Sequence, residues 1–477
     1  MRRPAPVSPR AFRHLAAAFV WAALACVASA QPVLAIDVER VRSPGGIEAW
    51  LVRDHTNPLL YIEFAFRGGA RHDPAGKEGA TALAADLLGM GAGDLPHLAF
   101  SRQLDERAIQ MNFSAGPDSL GGSLSTLTEH LDSAERLLGL ALTTPRFDEE
   151  TVEQVRAQTI TSLRRRLEQP DTVAQRVLYA GLYPQHPYGN PVTGTVESVA
   201  SITAGDLRRI AQHQLARDNL YIGVTGDIQP ERLGRLLDAV FGKLSAKADL
   251  ATVERTRPKA NGGVQVVRMK VPQSTILFAQ NGLARSDPDF YAATVLNHML
   301  GGGGFTSMLY KQVRERRGLA YSVGSYLQPL DRSALLMGSA GTANARVADA
   351  VRVIRDQWTA MAEKGATQAQ LDDAKTFLTG SFPLRFSSSR RIAGILVAMQ
   401  LDELGIDYLD RRNALIEGVT LAHVNVLAKR LLAPDQLTFV VVGDPANMTT
   451  GSADLPGGRP AAIPNSEPAR VPAATPR

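Results

Sequence analysis

Arg314 and Tyr321, seven residues apart, are the pair in this chain best suited to chemistry. They flank a turn between a helix and a strand. A helical stretch over residues 306–317 ends in Arg314, Arg316 and Arg317 before Gly318, and Ala320-Tyr321-Ser322-Val323 has strand composition. Such a turn can aim a fixed cation and a phenol at one point, which is what stabilising a developing oxyanion requires. Just upstream, Gly301, Gly302, Gly303 and Gly304 interrupt an apolar helical pattern that starts near Tyr291. A glycine run of this length predicts a helix stop and a loop whose backbone approaches a ligand closely. The same residues have plainer readings: a surface arginine and a half-buried tyrosine on an ordinary turn, and a flexible connector.

The elements that must position this pair show a repeat. Ala70-Arg71-His72-Asp73-Pro74 recurs 214 residues on as Ala284-Arg285-Ser286-Asp287-Pro288, each copy after an apolar strand and before a helix. Asp218 and Asp227 near the end of one half recur as Asp435 and Asp444, 217 residues on. Helix and strand patterns alternate within each half, so the expected fold class is α+β, built from two similar domains by duplication. The expected division is a first domain over residues 36–243, a linker over 244–263 without apolar period, a second domain over 264–445, and a disordered tail over 446–477 rich in Gly, Pro, Ala and Ser.

Residues 1–30 stand apart. Arg2, Arg3, Arg10 and Arg13 precede an apolar run over residues 15–27, and Ala28-Ser29-Ala30 offers a small-residue cleavage site, the pattern of a secretory signal peptide. Cys26 is the only cysteine, so cleavage after Ala30 leaves no thiol or disulfide chemistry; the alternative, Cys26 as a lipidated first residue, fits the preceding Ala23-Leu24-Ala25 poorly. No later run is long and apolar enough to predict a transmembrane helix. The expected protein is exported, and periplasmic if its source is a Gram-negative bacterium. A net charge of +5 over 477 residues, with no basic stripe interleaved with aromatics, argues against a nucleic-acid partner.

Other chemistry was sought and not found. No two histidines after residue 30 lie three to five apart, so a local zinc motif is absent. His186, in Gln185-His186-Pro187-Tyr188-Gly189, reads as a turn residue bonded to backbone, and His298 as a packing residue on an apolar helix. There is no Gly-x-Ser-x-Gly elbow, no Gly-Lys-Ser/Thr after the four glycines, and Gly89-Met90-Gly91-Ala92-Gly93-Asp94 misses the dinucleotide fingerprint.

Several motifs in order, across about residues 37–445, resemble the M16 peptidase family, the inverzincins that include insulin-degrading enzyme, pitrilysin and the mitochondrial processing peptidases. They are Arg71-His72-Asp73-Pro74 with Gly76-Lys77-Glu78-Gly79, His186-Pro187-Tyr188-Gly189 with Gly194-Thr195, the glycine run with Ser307, and Arg314-Glu315 with Gly318-Leu319-Ala320-Tyr321. The resemblance implies two α+β halves forming a bowl. The family's zinc motif, His-x-x-Glu-His, falls on Ala82, Ala85 and Asp86, so both ligands and the water-activating glutamate are missing. The third ligand would fall near Leu163, in a run over residues 158–163 without a carboxylate. The family's Arg/Tyr pair, which holds the scissile carbonyl oxygen, matches Arg314 and Tyr321 in type and spacing. The resemblance therefore implies the non-zinc subunit of a heterodimeric metallopeptidase. It would be inactive alone and paired with a zinc-bearing homologue. Unfolded peptides would be the substrate, with the loop at Gly301, Gly302, Gly303 and Gly304 guiding or excluding them. The competing expectations are a silent structural or peptide-holding subunit and a self-sufficient peptidase with an unrecognised site.

Overall fold

The computed structural model describes residues 36–446 and 448. The segment read as a signal peptide, and all but two residues of the expected tail, lie outside them. Strands β1 (Glu39–Arg42), β2 (Glu48–Arg53), β3 (Leu59–Arg67), β4 (Gln110–Ala115), β5 (Ser119–Leu127) and β6 (Leu220–Gly226) form one sheet. Strands β7 (Val264–Arg268), β8 (Gln273–Asn281), β9 (Ser322–Leu330), β10 (Ser333–Ala343) and β11 (Thr438–Gly443) form a second. The first runs β1-β2-β6-β3-β5-β4 and the second β7-β11-β8-β10-β9, so without β1 the two orders correspond strand for strand. The pairings agree too: β2 with β6 and β7 with β11 are parallel, and the remaining pairs are antiparallel.

The helices of the first half are α1 (Ala80–Leu88), α2 (His97–Asp105), α3 (Leu131–Thr143), α4 (Glu149–Arg166), α5 (Pro170–Leu182), α6 (Val196–Ser201), α7 (Ala204–Gln214) and α8 (Pro230–Phe241). Those of the second are α9 (Phe290–Asn297), α10 (Val347–Lys364), α11 (Gln368–Gly380), α12 (Ser389–Leu401), α13 (Tyr408–Glu417) and α14 (Leu421–Leu431). Local chemistry marks many of their starts. Thr195, Thr203 and Thr367 close capping boxes, Ser388 and Thr420 accept from a first-turn N–H, and Pro170 and Pro230 open α5 and α8.

Each sheet packs one face on helices of its own half. Ile222 and Val224 of β6 join the core built with α1, α3, α4, α7 and α8; Phe439 and Val441 of β11 join the core of α9, α10, α11 and α14. The opposite faces are covered by exchange. α5, from the first half, lies on β8 and β11, with Val173, Ala174, Leu178 and Leu182 against Ala279, Val440 and Val442. α12, from the second half, lies on β3 and β6, with Ala393, Leu396, Val397 and Met399 buried and Gln400 Nε2 donating to the Ile222 carbonyl at 2.9 Å. The two central strands are thus buried on both sides, which accounts for the unbroken apolar run Phe439-Val440-Val441-Val442.

Residues 250–260 contain neither helix nor strand but are tied to both halves. Lys259 N donates to the Leu182 carbonyl at 2.8 Å and Thr256 N to that of Arg332 at 2.9 Å. Among the described residues no helix is long and apolar enough to cross a membrane.

The exchange rests on close backbone approach at Gly223 of β6, where a Cβ would collide with the Ala393 carbonyl oxygen of α12. Gly223→Ala should therefore cost about 1–3 kcal/mol through overpacking. Gly394→Ala, one residue from the contact with open space around it, should stabilise by roughly 0.5–1 kcal/mol through helix propensity. Urea unfolding of the two variants checks the pair, and equal effects would refute the role given to the contact.

Candidate functional site

The Arg/Tyr turn is held from beneath by buried side chains. The helix before it closes as a π-helical turn, Tyr310–Glu315, of a kind often found at functional sites. Val313 is buried there, and Gly318 follows with φ +58, a left-handed conformation that costs any other residue more. Leu319 and Ala320 are buried next, and Thr342 Oγ1 on β10 donates to the Leu319 carbonyl at 2.5 Å. Tyr321 N then donates to the Gly341 carbonyl at 2.9 Å, which starts β9 one residue later than its composition suggests.

With its neighbours anchored inward, the pair points outward and meets. Arg314 Cζ lies 5.0 Å from the centroid of the Tyr321 ring, whose side chain is 75% exposed. On its other side Arg314 Cζ is 4.9 Å from the Tyr310 ring. The guanidinium is therefore held between two aromatic faces, an attraction worth about 0.5–1 kcal/mol per contact at exposed sites. Among the described residues it has no carboxylate at ion-pair distance and no hydrogen-bond acceptor, and the Tyr321 hydroxyl has no partner. Donors so placed can serve an incoming oxygen. Tyr310 was not singled out in the sequence; its position one helical turn before Arg314 was the signal available.

The four glycines depart from the loop read in the sequence. α9 continues into a π-helical turn, His298–Gly302, and Gly301 is buried under β9, where a Cβ would collide with Ser325 Oγ. Asn297 Nδ2 donates to the Ser325 carbonyl at 3.2 Å and Ser325 Oγ to Asn297 Oδ1 at 2.7 Å, so this turn covers the edge strand beside Tyr321. Gly303 lies over the buried His298 ring, and of the run only Gly302 and Gly304 are exposed. The reason for Gly301 is thus close packing of backbone on a strand edge, and the ligand-approach argument reaches Gly302, Gly303 and Gly304 alone. His298 stacks on Phe377 at 5.0 Å, and burial pushes its imidazole below the ordinary value.

At the degenerate metal positions, Ala85 is buried in the first core with Leu163 of α4, Ala82 is partly buried and Asp86 is exposed. Where the family's ligands would converge, α1 and α4 pack through apolar side chains. Among the described residues no group of three or more His, Asp, Glu or Cys is gathered as for a metal.

The motifs around Arg71 and Tyr188 meet at the joint between the halves. Arg71, buried, pairs with Asp118 of the first half and, at 3.0 Å, with Asp331 of the second. The Tyr188 hydroxyl donates to Asp118 Oδ1 at 2.5 Å and accepts from Arg332 N at 3.0 Å. His186 Nε2 lies 3.1 Å from the Glu254 carbonyl, the backbone bond expected of it. Asp73 caps α1 through Gly79 N at 2.8 Å and Thr81 N at 2.9 Å, and burial raises its carboxyl to about 6.

The family model described as peptidase M16 inactive domain matches residues 201–378. The chain is 28% identical over 398 residues to a Helicobacter pylori protein named non-peptidase homolog YmxG, covering 82% of this chain and 90% of that protein. It is 27% identical over 409 residues to an uncharacterized zinc protease of Streptomyces coelicolor, with coverage of 83% and 87%. A solved peptidase M16 inactive domain from Pseudomonas fluorescens has the same fold, with TM-score 0.80 at 25% identity over 85% of this chain and 98% of that one. The chain belongs to the M16 peptidase family, and the part that the family model covers is of the inactive kind.

Burial, then the charges of Arg71 and Arg332, lower His72 to about 4. A folded value below the unfolded 6.5 means that the folded state keeps the ring neutral at a pH where the unfolded chain binds a proton. The stability so contributed is complete above pH 6.5 and lost as pH falls through 4. Relative to His72→Gln, the wild type should lose stability between pH 6.5 and 4; urea midpoints at pH 7 and 4.5 would show the gap move, and a constant gap would refute the assignment.

Proposed function

We propose that this chain is the non-zinc subunit of an exported heterodimeric M16-type peptidase, in which Arg314 and Tyr321 stabilise the oxyanion formed on an unfolded peptide at the partner's metal. The observation that carries this reading is the outward-facing pair itself, with its guanidinium fixed between two rings and free of any acidic partner. A scaffold gains nothing from leaving an arginine and a tyrosine hydroxyl unpaired at one point. The missing ligands at Ala82, Ala85 and Asp86 agree with a protein that supplies no metal, as does the name non-peptidase homolog borne by its Helicobacter relative.

In this reading the partner, a homologue with an intact His-x-x-Glu-His motif, supplies zinc and the activated water. Arg314 donates N–H and Tyr321 donates O–H to the carbonyl oxygen of the scissile bond. As water adds to the carbonyl carbon, that oxygen gains negative charge, and both bonds strengthen. The gain is largest in the transition state, which is the condition for raising the rate and not only the affinity. The two subunits would enclose the peptide between them as a bowl and its lid. Residues 1–30 would direct export, to the periplasm in a Gram-negative source.

The test is cleavage of a quenched fluorescent peptide by the purified chain, alone and mixed with a zinc-bearing homologue. The chain alone should be silent and the mixture active, with Tyr321→Phe slowing the mixture on the order of 10²- to 10³-fold. No gain on mixing, or near-normal turnover with Tyr321→Phe, would overturn the reading in favour of a silent peptide-holding subunit.

A further inference from the structure

Two more aromatic side chains continue the surface of the Arg/Tyr pair. Phe305 follows the glycine run and is 74% exposed. Its ring meets that of Tyr310 edge to face, with centroids 4.9 Å apart and planes at 78°. Tyr310 in turn carries Arg314, and Arg314 carries Tyr321. Phe305, Tyr310, Arg314 and Tyr321 thus form one continuous outward surface. Its two ends are aromatic rings three-quarters exposed to water, and its middle is a cation without a counter-ion among the described residues.

The exposure of Phe305 belongs to a fixed loop. Thr306 Oγ1 donates to the Gly303 carbonyl at 3.0 Å, and Ser307 Oγ donates to that of Gly304 at 2.8 Å. Ser307 is fully buried, so the loop is tied at its base. A ring held in water by such a base loses an apolar contact that a small shift could have supplied. The contact it offers is already organised for something that arrives from outside.

We infer that Phe305 and Tyr310 form a shelf that takes a large apolar side chain of a peptide within a few residues of the carbonyl held by Arg314 and Tyr321. The inference rests on the proposed function and adds substrate selectivity to it. Two successive 4.9 Å contacts keep the Phe305 ring within about 10 Å of the guanidinium, a distance that three residues of extended chain span at ~3.3 Å each. The occupant follows from the chemistry: an unfolded peptide presents a carbonyl for the cation and, alternately along the strand, side chains for the shelf. An aromatic or a large aliphatic residue matches the exposed edge of Phe305 and the face of Tyr310. A serine or an aspartate does not, although aspartate could seek Arg314 instead.

The experiment uses the full chain with its zinc-bearing homologue and a set of quenched peptides. The set places Phe, Leu, Ser or Asp singly at each of the three positions on either side of the cleaved bond. At one position the Phe and Leu peptides should have the higher kcat/KM. Phe305→Ala should lower kcat/KM for those two by roughly 3- to 10-fold, the scale of one aromatic contact, while leaving the Ser peptide unchanged. Phe305→Trp should retain the preference. An equal loss on all peptides, no loss on any, or a preference for Asp would overturn the shelf. Should the mixture show no turnover at all, the proposed function fails and the shelf is decided separately. Fluorescence anisotropy of the same peptides on the isolated chain should then give a Phe-over-Ser affinity ratio that collapses in Phe305→Ala, and a ratio near one in the wild type would overturn it.

Discussion

The exchange of α5 and α12 is the constraint on which this structure depends. A sheet with one face on its own helices still has an apolar second face, and here each half covers the other's. Val173, Leu178 and Leu182 are each buried on the second sheet, a gain of roughly 1.5–3 kcal/mol per side chain. Leu396 and Met399 do the same on the first. Because the covering is mutual, the two halves are a single folding problem. The buried Arg71, paired to Asp118 on one side and Asp331 on the other, fixes how they meet. A buried pair of this kind is a poor source of net stability but costly to break, which suits it to setting the angle of a joint.

The rigidity of that frame is what gives the Arg/Tyr turn its meaning. Arg314 and Tyr321 are exposed, and exposed side chains of their length ordinarily sample several rotamers. Here Val313, Leu319 and Ala320 anchor the backbone, the Gly301 turn covers the edge of β9, and two rings hold the guanidinium. The pair is therefore organised before any peptide arrives. In a transition-state stabiliser this is the property that matters, since donors that need not reorganise contribute most of their interaction energy to the reaction.

The first half shows the converse. At the positions where zinc-bearing members of the family hold metal, Ala85 and Leu163 meet in an apolar core. Such packing makes the loss hard to reverse. Histidines restored at positions 82 and 86 would still face a leucine where a carboxylate is needed, and a buried imidazole without a metal or hydrogen-bond partner destabilises the fold.

The sequence by itself determined the kind of fold and the chemistry that could be present. The duplication was legible because the two copies keep the same residues at turns, where backbone conformation restricts the choice. The absence of a metal motif, and the types and spacing of Arg314 and Tyr321, needed no coordinates. Other features depended on contacts between residues far apart in the chain. Periodicity says that Val440 and Val442 face away from Phe439 and Val441, but not that a helix from the other half covers them. The glycine run read as a loop because local propensity cannot register Ser325, 24 residues on, against which Gly301 must pack. Phe305 and Tyr310 looked like ordinary core aromatics. Their place beside Arg314 was decided by the tertiary structure, because exposure is a property of what surrounds a residue and the sequence records only its type.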